Sequence, residues 1–350
     1  MTPIIFFFVI HWIVTYGIPI GQINYTIVAI PDTQYYSAYW PDIFIHQTQW
    51  ICQCKAKLDI IYASHLGDLV EHKNSLINEW SFASYSIDNL LKCNMPHGIV
   101  AGNHDVEYEE SGEYEQYRMF NYSFPISKYR DQKWFGGSHS RGDMRNTFSL
   151  VSAPDGTNYI MINIEYLPVL SNQQNITSWI ISLLTTFSNR TAIISSHYVA
   201  DDCSDEVFYV FSDIAKRFCN VLLLLGGHTF DCGGEMTVKI PNNCGGSAFS
   251  LVSDYQGIYR GGSGWLRYYN FRKSNSTNKI CVFTFSPYYN EFKLQNKSYF
   301  SIDLLSNTIQ PGCSLDPCFS RYIPHEFLLG NITVVLSNIL VFFYLIMDSD

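Results

Sequence analysis

At 350 residues the chain is long enough to bury a substantial core in one large domain or two small ones. Its hydrophobic share of 47% and charged share of 15% suit a folded protein with hydrophobic ends. A formal net charge of −9 excludes a surface built to grip a nucleic-acid backbone, yet leaves phosphate esters open, because bound metal supplies local positive charge.

The N-terminus is apolar from Ile4 to Val14 and then reaches Gly17 and Gly21, which reads as a secretory signal over residues 1–21. Its only positive charge is the α-amino group. Glycosylation sequons at Asn24, Asn121, Asn175, Asn189, Asn275, Asn296 and Asn331 agree with a secretory route. Ten cysteines, an even number, fit disulfides in an oxidising compartment. Cys232 and Cys244, which bracket a Gly- and Asn-rich loop, are the favoured pair.

Strand-like apolar runs follow near residues 25–31, 59–66, 97–102, 159–165, 191–196, 220–226, 247–253 and 280–286. Helix-like stretches with apolar spacing of three to four lie at 43–58 and 76–91. Strands alternating with helices, then consecutive strands, predict one α/β domain over residues 22–312 with mixed sheets. Residues 313–326 read as a spacer. Residues 327–347 are hydrophobic and uncharged, long enough to span a membrane, and only Asp348, Ser349 and Asp350 follow. With no Lys or Arg to hold a cytoplasmic end, and with small residues at Gly312-Cys313-Ser314, a removed lipid-anchor signal explains this tail better than a transmembrane segment. A cut after Gly312 would remove Cys313 and Cys318 together and leave eight cysteines. The mature protein is expected in the extracellular space or an endomembrane lumen, held to a membrane by its C-terminus.

Five of the apolar runs stop at residues that bind metals or move protons. Ile27 to Ile30 runs into Pro31-Asp32, and Ile60 to Ala63 leads to Gly67-Asp68. Ile99 to Ala101 ends in Gly102-Asn103-His104-Asp105, Ile193-Ile194 in Ser195-Ser196-His197, and Val221 to Leu225 in Gly226-Gly227-His228. Ligands gather where strands end and loops begin, so these residues can converge from distant positions. Two Asp, an Asn and two His suggest a divalent metal centre. Phosphate-ester hydrolysis needs such a set: metal ions offset the phosphate charge and make bound water acidic, while an imidazole protonates the leaving oxygen.

These residues resemble the calcineurin-like metallophosphoesterases. That family's pattern is Asp-x-His, Gly-Asp-x-x, Gly-Asn-His-Asp/Glu, an isolated His and Gly-His-x-His. The chain offers Asp32-Thr33-Gln34, Gly67-Asp68-Leu69-Val70, Gly102-Asn103-His104-Asp105, His197 and Gly227-His228-Thr229-Phe230 in the same order. Asp32-Thr33-Gln34-Tyr35, Ser253-Asp254-Tyr255-Gln256 and Gly264-Trp265-Leu266-Arg267 look like a secreted subgroup. The resemblance covers roughly residues 25 to 300. It implies a four-layer α/β fold, two mixed β-sheets packed as a sandwich and flanked by helices, with the site at the strand ends.

Carried over residue by residue, the resemblance makes Asp68 the ligand shared by two metals. Asn103, His197 and His228 complete the second site, and Asp32 belongs to the first. His104 becomes the catalytic imidazole, oriented by Asp105 through a hydrogen bond. Tyr35, Asp254, Tyr255 and Gln256 are placed as substrate contacts, and His65 as structural. Gln34 stands where the family has His, and Phe230 replaces the last His of Gly-His-x-His. Gln34 can offer a neutral oxygen; Phe230 offers nothing. Glu71 occupies the place where some relatives carry a metal-binding Tyr. The expected cofactors are therefore one tight divalent ion, zinc or iron, and one weak ion, manganese, magnesium or calcium. The expected activity is hydrolysis of a phosphomonoester or phosphodiester in a small molecule, nucleotide or lipid. The alternative is a relative without turnover that binds metal or ligand at a surface.

Overall fold

The computed structural model describes residues 21–72, 78–108, 115–166, 173–315 and 317–319. Residues 1–20, which hold nearly all of the expected signal, the sequon at Asn331 and the hydrophobic segment 327–347 lie outside the described residues. No helix among the described residues is long and apolar enough to cross a membrane.

The strands in chain order are β1 (Ile23–Ile30), β2 (Ile60–His65), β3 (His97–Ile99), β4 (Glu107–Tyr108), β5 (Glu115–Gln116), β6 (Phe135–Ser138), β7 (Thr147–Ser152), β8 (Asn158–Ile164) and β9 (Thr191–Ser196). They continue as β10 (Val221–Gly226), β11 (Glu235–Pro241), β12 (Ser247–Ser253), β13 (Leu266–Lys273), β14 (Asn278–Ser286), β15 (Glu291–Lys293), β16 (Tyr299–Asp303) and β17 (Thr308–Pro311). The helices are α1 (Gln34–Tyr39), α2 (Pro41–Cys54), α3 (Asn78–Lys92), α4 (Arg118–Ser123), α5 (Gln173–Thr186), α6 (Tyr209–Arg217) and α7 (Tyr259–Gly262).

Two mixed sheets carry the fold. The first runs β17-β16-β14-β13-β1-β2-β3, with β15 paired to β14; the second runs β11-β12-β10-β9-β8-β7-β6. In the first, β1, β2 and β3 are parallel and the remainder antiparallel. In the second, β8, β9, β10 and β12 are parallel. Parallel strands are covered on both faces and so read as continuous apolar runs, which made β1, β2, β9, β10 and β12 visible in the sequence.

Side-chain alternation assigns the faces of the second sheet. Tyr159, Met161, Ile193, Leu223, Leu225, Phe249 and Leu251 share one buried cluster with β1, β2 and α2. Their neighbours Ile160, Ile162, Ile194, Leu224 and Ala248 turn the other way, against Ile176 and Ile180 of α5 and Phe211 and Ile214 of α6. Trp50 of α2 packs on Tyr268 and Phe285 of the first sheet. The order is helix, sheet, sheet, helix, as expected. Polar side chains also join the sheets: Tyr25 and Tyr159 hydroxyls lie 2.7 Å apart, and Ser64 donates to Ser195 at 2.9 Å.

The disulfides correct two expectations. Cys232 pairs with Cys203 and Cys244 with Cys219, so the loop between Cys232 and Cys244 is tied outward at both ends and not to itself. Cys52 pairs with Cys93, Cys54 with Cys318 and Cys281 with Cys313. A cut after Gly312 would therefore strand Cys54 and Cys281 without partners. Arg272 also hydrogen-bonds Ser314, so the chain beyond 312 is held to the domain. Among the sequons, Asn175, Asn189, Asn275 and Asn296 are exposed, whereas Asn24 is half-buried with its Oδ1 covered, and half-buried Asn121 accepts from the Met144 amide.

Candidate metal centre

The parallel strands all point their C-terminal ends at one rim, where loops carry the chemistry. β1 ends before Asp32, β2 before Asp68, β3 before Asn103 and His104, β9 before His197, and β10 before His228. Two of these residues hold backbones that side chains rarely adopt: Asp68 has φ 51° and His228 φ 72°. Glycines make the close approaches possible. A Cβ at Gly102 would collide with the Asp68 carboxylate, one at Gly227 with that of Asp32, and one at Gly67 with the His197 ring.

Asp68, His197 and His228 each place a ligand atom within 4.8 Å of the others. Asn103 joins them, with Oδ1 2.9 Å from His197 Nε2. Around that same nitrogen stand Asp68 Oδ1 at 3.2 Å and His228 Nδ1 at 3.2 Å. His197 Nδ1 lies 3.0 Å from the Leu66 carbonyl, an obligate acceptor, so Nδ1 carries a proton and Nε2 is free to offer its lone pair. Four electron-pair donors crowded round one point need a cation between them. Without a metal a proton takes that part: burial alone would depress His197, but Asp68 and then Asp32 raise it to about 10. Burial and the His197 charge lower His228 to about 4. Asp68, despite burial that would raise it, is held below its ordinary value by His197.

Asp32 is buried at the same rim. Its carboxylate lies 3.2 Å from His197 Nδ1 and accepts from the His228 amide at 3.3 Å. Burial, then the charge of Asp254, pushes Asp32 well above the usual carboxylate range. Gln34 opens α1 directly after Asp32 and Thr33; its Nε2 donates to Glu71 Oε2 at 2.8 Å, while its Oε1 is buried with no partner. That orphaned acceptor fits a cation ligand. His65 is structural as expected: its Nδ1 accepts from the Gly67 amide at 3.1 Å and its Nε2 reaches Thr33 Oγ1 at 2.9 Å. It ties the Asp32 loop to the Asp68 loop.

Two expected roles change. Asp105 does not orient His104. Its Oδ1 accepts the Leu69 and Val70 amides at 2.8 and 3.2 Å, and its Oδ2 the Gly102 amide at 2.8 Å, so it clamps the Asp68 loop to the Asn103 loop. Glu71 holds His104 instead: Nδ1 lies 2.9 Å from the Glu71 carbonyl oxygen and 3.4 Å from its carboxylate. Tyr255 does not serve a substrate; its buried hydroxyl donates to Glu235 Oε1 at 2.8 Å. Tyr35 is half-buried, with Glu71, Asp254 and Asp68 within electrostatic reach. Asp254 hydrogen-bonds to Asp32, and Gln256 turns back on Asp254. Phe230 is 41% exposed and lies against Gly257.

Tyr166 escaped the sequence reading. Its ring lies 5.7 Å from His197 and 5.0 Å from His228, and its hydroxyl 3.5 Å from His228 Nε2. It stands two residues past β8, which is the signal that would have found it.

No family model matches the chain. The uncharacterized protein YvnB of Bacillus subtilis (strain 168) is 32% identical over 306 residues, covering 85% of this chain and 22% of that protein. The chain thus spans about a fifth of the length of this curated relative. Among solved structures, a dimetal phosphatase from Danio rerio aligns with TM-score 0.46 and 13% identity, over 80% of this chain and 99% of that one. The purple acid phosphatase PPD1 from yellow lupin aligns with TM-score 0.47 and 12% identity, over 86% and 57%.

Proposed function

We propose that the chain is a calcineurin-like metallophosphoesterase that hydrolyses phosphate esters, working outside the cell or in an endomembrane lumen. The observation that carries this reading is the meeting of Asp68, Asn103, His197 and His228, drawn from the ends of β2, β3, β9 and β10, around one point. These four residues would hold a tight ion, zinc or iron, while Asp32, Asp68 and Gln34 would hold a weaker one. Bound divalent ions would offset the charge of the phosphoryl oxygens and make water acidic enough to attack.

The chain's own groups do the remaining work. His104 sits beside Asp68, its amide donating to Asp68 Oδ1 at 2.9 Å. Because Glu71 occupies His104 Nδ1, Nε2 is the ring nitrogen left to pass a proton to the leaving oxygen. The Glu71 carboxylate lies 3.4 Å from the same Nδ1, so Glu71 fixes the ring from that side. The disulfides fit the oxidising compartment. A membrane anchor at the C-terminus belongs to the same reading, and release by phosphatidylinositol-specific phospholipase would distinguish a lipid from a peptide tail.

The test is hydrolysis of p-nitrophenyl phosphate and bis-p-nitrophenyl phosphate by the purified chain, with added manganese and with chelator. Turnover that vanishes in chelator and returns with metal supports the proposal. Metal binding with no turnover on either ester or on a nucleotide and phospholipid panel would replace it with a binding role.

A further inference from the structure

The half of the centre around Asp32 lacks the imidazoles that the other half keeps, because Gln34 and Phe230 stand at those positions. The fold supplies something else there. β12 runs parallel to β10 with Val252 opposite Gly226, so two residues further along the strands bring His228 and Asp254 to the same rim. We propose that Asp254 and Gln256 complete an all-oxygen cation site with Asp32, Gln34 and Asp68, taking a hard divalent ion such as manganese, magnesium or calcium. The assignment rests on the phosphoesterase reading in one respect, that Asp68 is shared with the tight ion.

Charge and hydrogen bonding point the same way. Asp32 and Asp254 are both buried and share a hydrogen bond, which without a cation requires a proton on one of the two, and Asp68 is nearby. Among the charged groups acting most strongly on this pair, the only positive one is the His197 imidazole, itself engaged with Asp68. Two amide oxygens in the same cluster also lack partners. Gln34 is 2% exposed and Gln256 7% exposed, and the Oε1 of each is covered with nothing donating to it. Gln256 Nε2 donates to Asp254 Oδ2 at 3.0 Å, so the amide that carries the orphaned oxygen is held against Asp254. Neighbouring carboxylates are acceptors and cannot satisfy it; a cation satisfies acceptors and excess negative charge together. Asp254 Oδ1 accepts from the Gln256 amide at 2.9 Å, but a carboxylate oxygen has a second lone pair for a metal. Five oxygens without an imidazole suit a hard ion and hold it loosely.

The full chain, stripped with chelator, is dialysed against manganese, and bound metal is counted. The native protein should bind two ions, one that survives dialysis and one that exchanges. Asp254→Asn should weaken the exchanging ion at least about 10-fold while the tight ion stays. Gln256→Leu should weaken the same ion without changing charge. In chelator, Asp254→Asn should melt at or above the native temperature, because a buried carboxylate has been neutralised; manganese should then stabilise the native chain more than the variant. An Asp254→Asn protein that holds the exchanging ion with native affinity, or melts equally far below native with and without manganese, overturns the assignment. A native chain that binds one ion at every manganese concentration overturns it too, yet leaves the phosphoesterase reading standing. A native chain that binds none overturns both.

Discussion

Two buried acidic clusters sit on neighbouring strands and are built to opposite purposes. Glu235, at the start of β11, receives Arg267 Nη2 at 2.7 Å, Lys293 Nζ at 3.0 Å, Ser298 Oγ at 2.6 Å, and the Tyr255 and Thr284 hydroxyls at 2.8 and 3.1 Å. Its charge is neutralised and its oxygens are filled. Asp32 and Asp254 have one imidazole acting on them, that of His197, which is already engaged with Asp68, and the buried Oε1 atoms of Gln34 and Gln256 are unpaired. Both clusters are buried, so burial does not tell them apart; completeness does. An acid whose partners are all supplied by the chain is architecture. An acid whose partners are missing is a place for something else to bind.

The comparison breaks most visibly at Asp68. Asp68→Asn should remove both bound metal and activity, with a rate loss on the order of 1,000-fold or more, read by metal count and ester hydrolysis. A variant that keeps its metal would mean the incomplete cluster is not a binding site. Next comes His104→Ala, which should slow turnover roughly 100- to 10,000-fold while metal stays bound. Loss of the ion in that variant would make His104 a ligand and not a proton donor.

The complete cluster should respond in stability alone. Arg267→Met leaves Glu235 buried beside Lys293 without its main partner, and should cost about 3–5 kcal/mol in urea unfolding with metal content unchanged. The same cluster has a pH signature. Burial would raise the Glu235 carboxyl, but Arg267, then Lys293, hold it down to about 2 from its ordinary 4.5. A depressed folded value contributes stability that is fully present above about 4.5 and drains as pH falls toward 2, here on the order of 3 kcal/mol. Melting that does not depend on Glu235 across that window would remove the argument. The smallest effect is expected at Phe230. With Asp254 and Gln256 in place, Phe230→His should change manganese affinity less than about 2-fold. A large tightening would show that the imidazole position, not the β12 end, governs that ion.

The ligand-bearing strand ends were legible because metal chemistry restricts residue types and parallel strands restrict their placement. Asp32, Asp68, Asn103, His197 and His228 all follow apolar runs, and all meet at the rim. What could not be read was pairing across the chain. β13 lies between β1 and β14 at the centre of its sheet, yet its Leu-Arg-Tyr-Tyr-Asn-Phe-Arg-Lys sequence looks exposed. Arg267 is nonetheless fully buried because Glu235, far away in sequence, receives it. Asp105 and Glu71 exchanged the expected duty for the same reason. The resemblance made Asp105 the partner of His104, but the turn after β3 spends both Asp105 oxygens on backbone amides. Asp254 also follows a strand end, that of β12, but the resemblance placed it as a substrate contact and so it was not counted with the ligands.

The bridge from Cys54 to Cys318 spans 264 residues, and β1 finds its antiparallel neighbour in β13. During synthesis β1, the earliest strand among the described residues, must wait, one edge open, for a partner made about 240 residues later. Cys52, one residue from Cys54's own neighbour, meets Cys93 after only 41 residues. Cys93 therefore emerges while Cys54 is still unpaired, and the nascent chain can close onto the wrong sulfur. A compartment that reshuffles thiols would undo such a closure, where one that merely oxidises them would not. The rim at which the acids gather is completed last, when the ribosome has delivered the residues that lock its first strand in place.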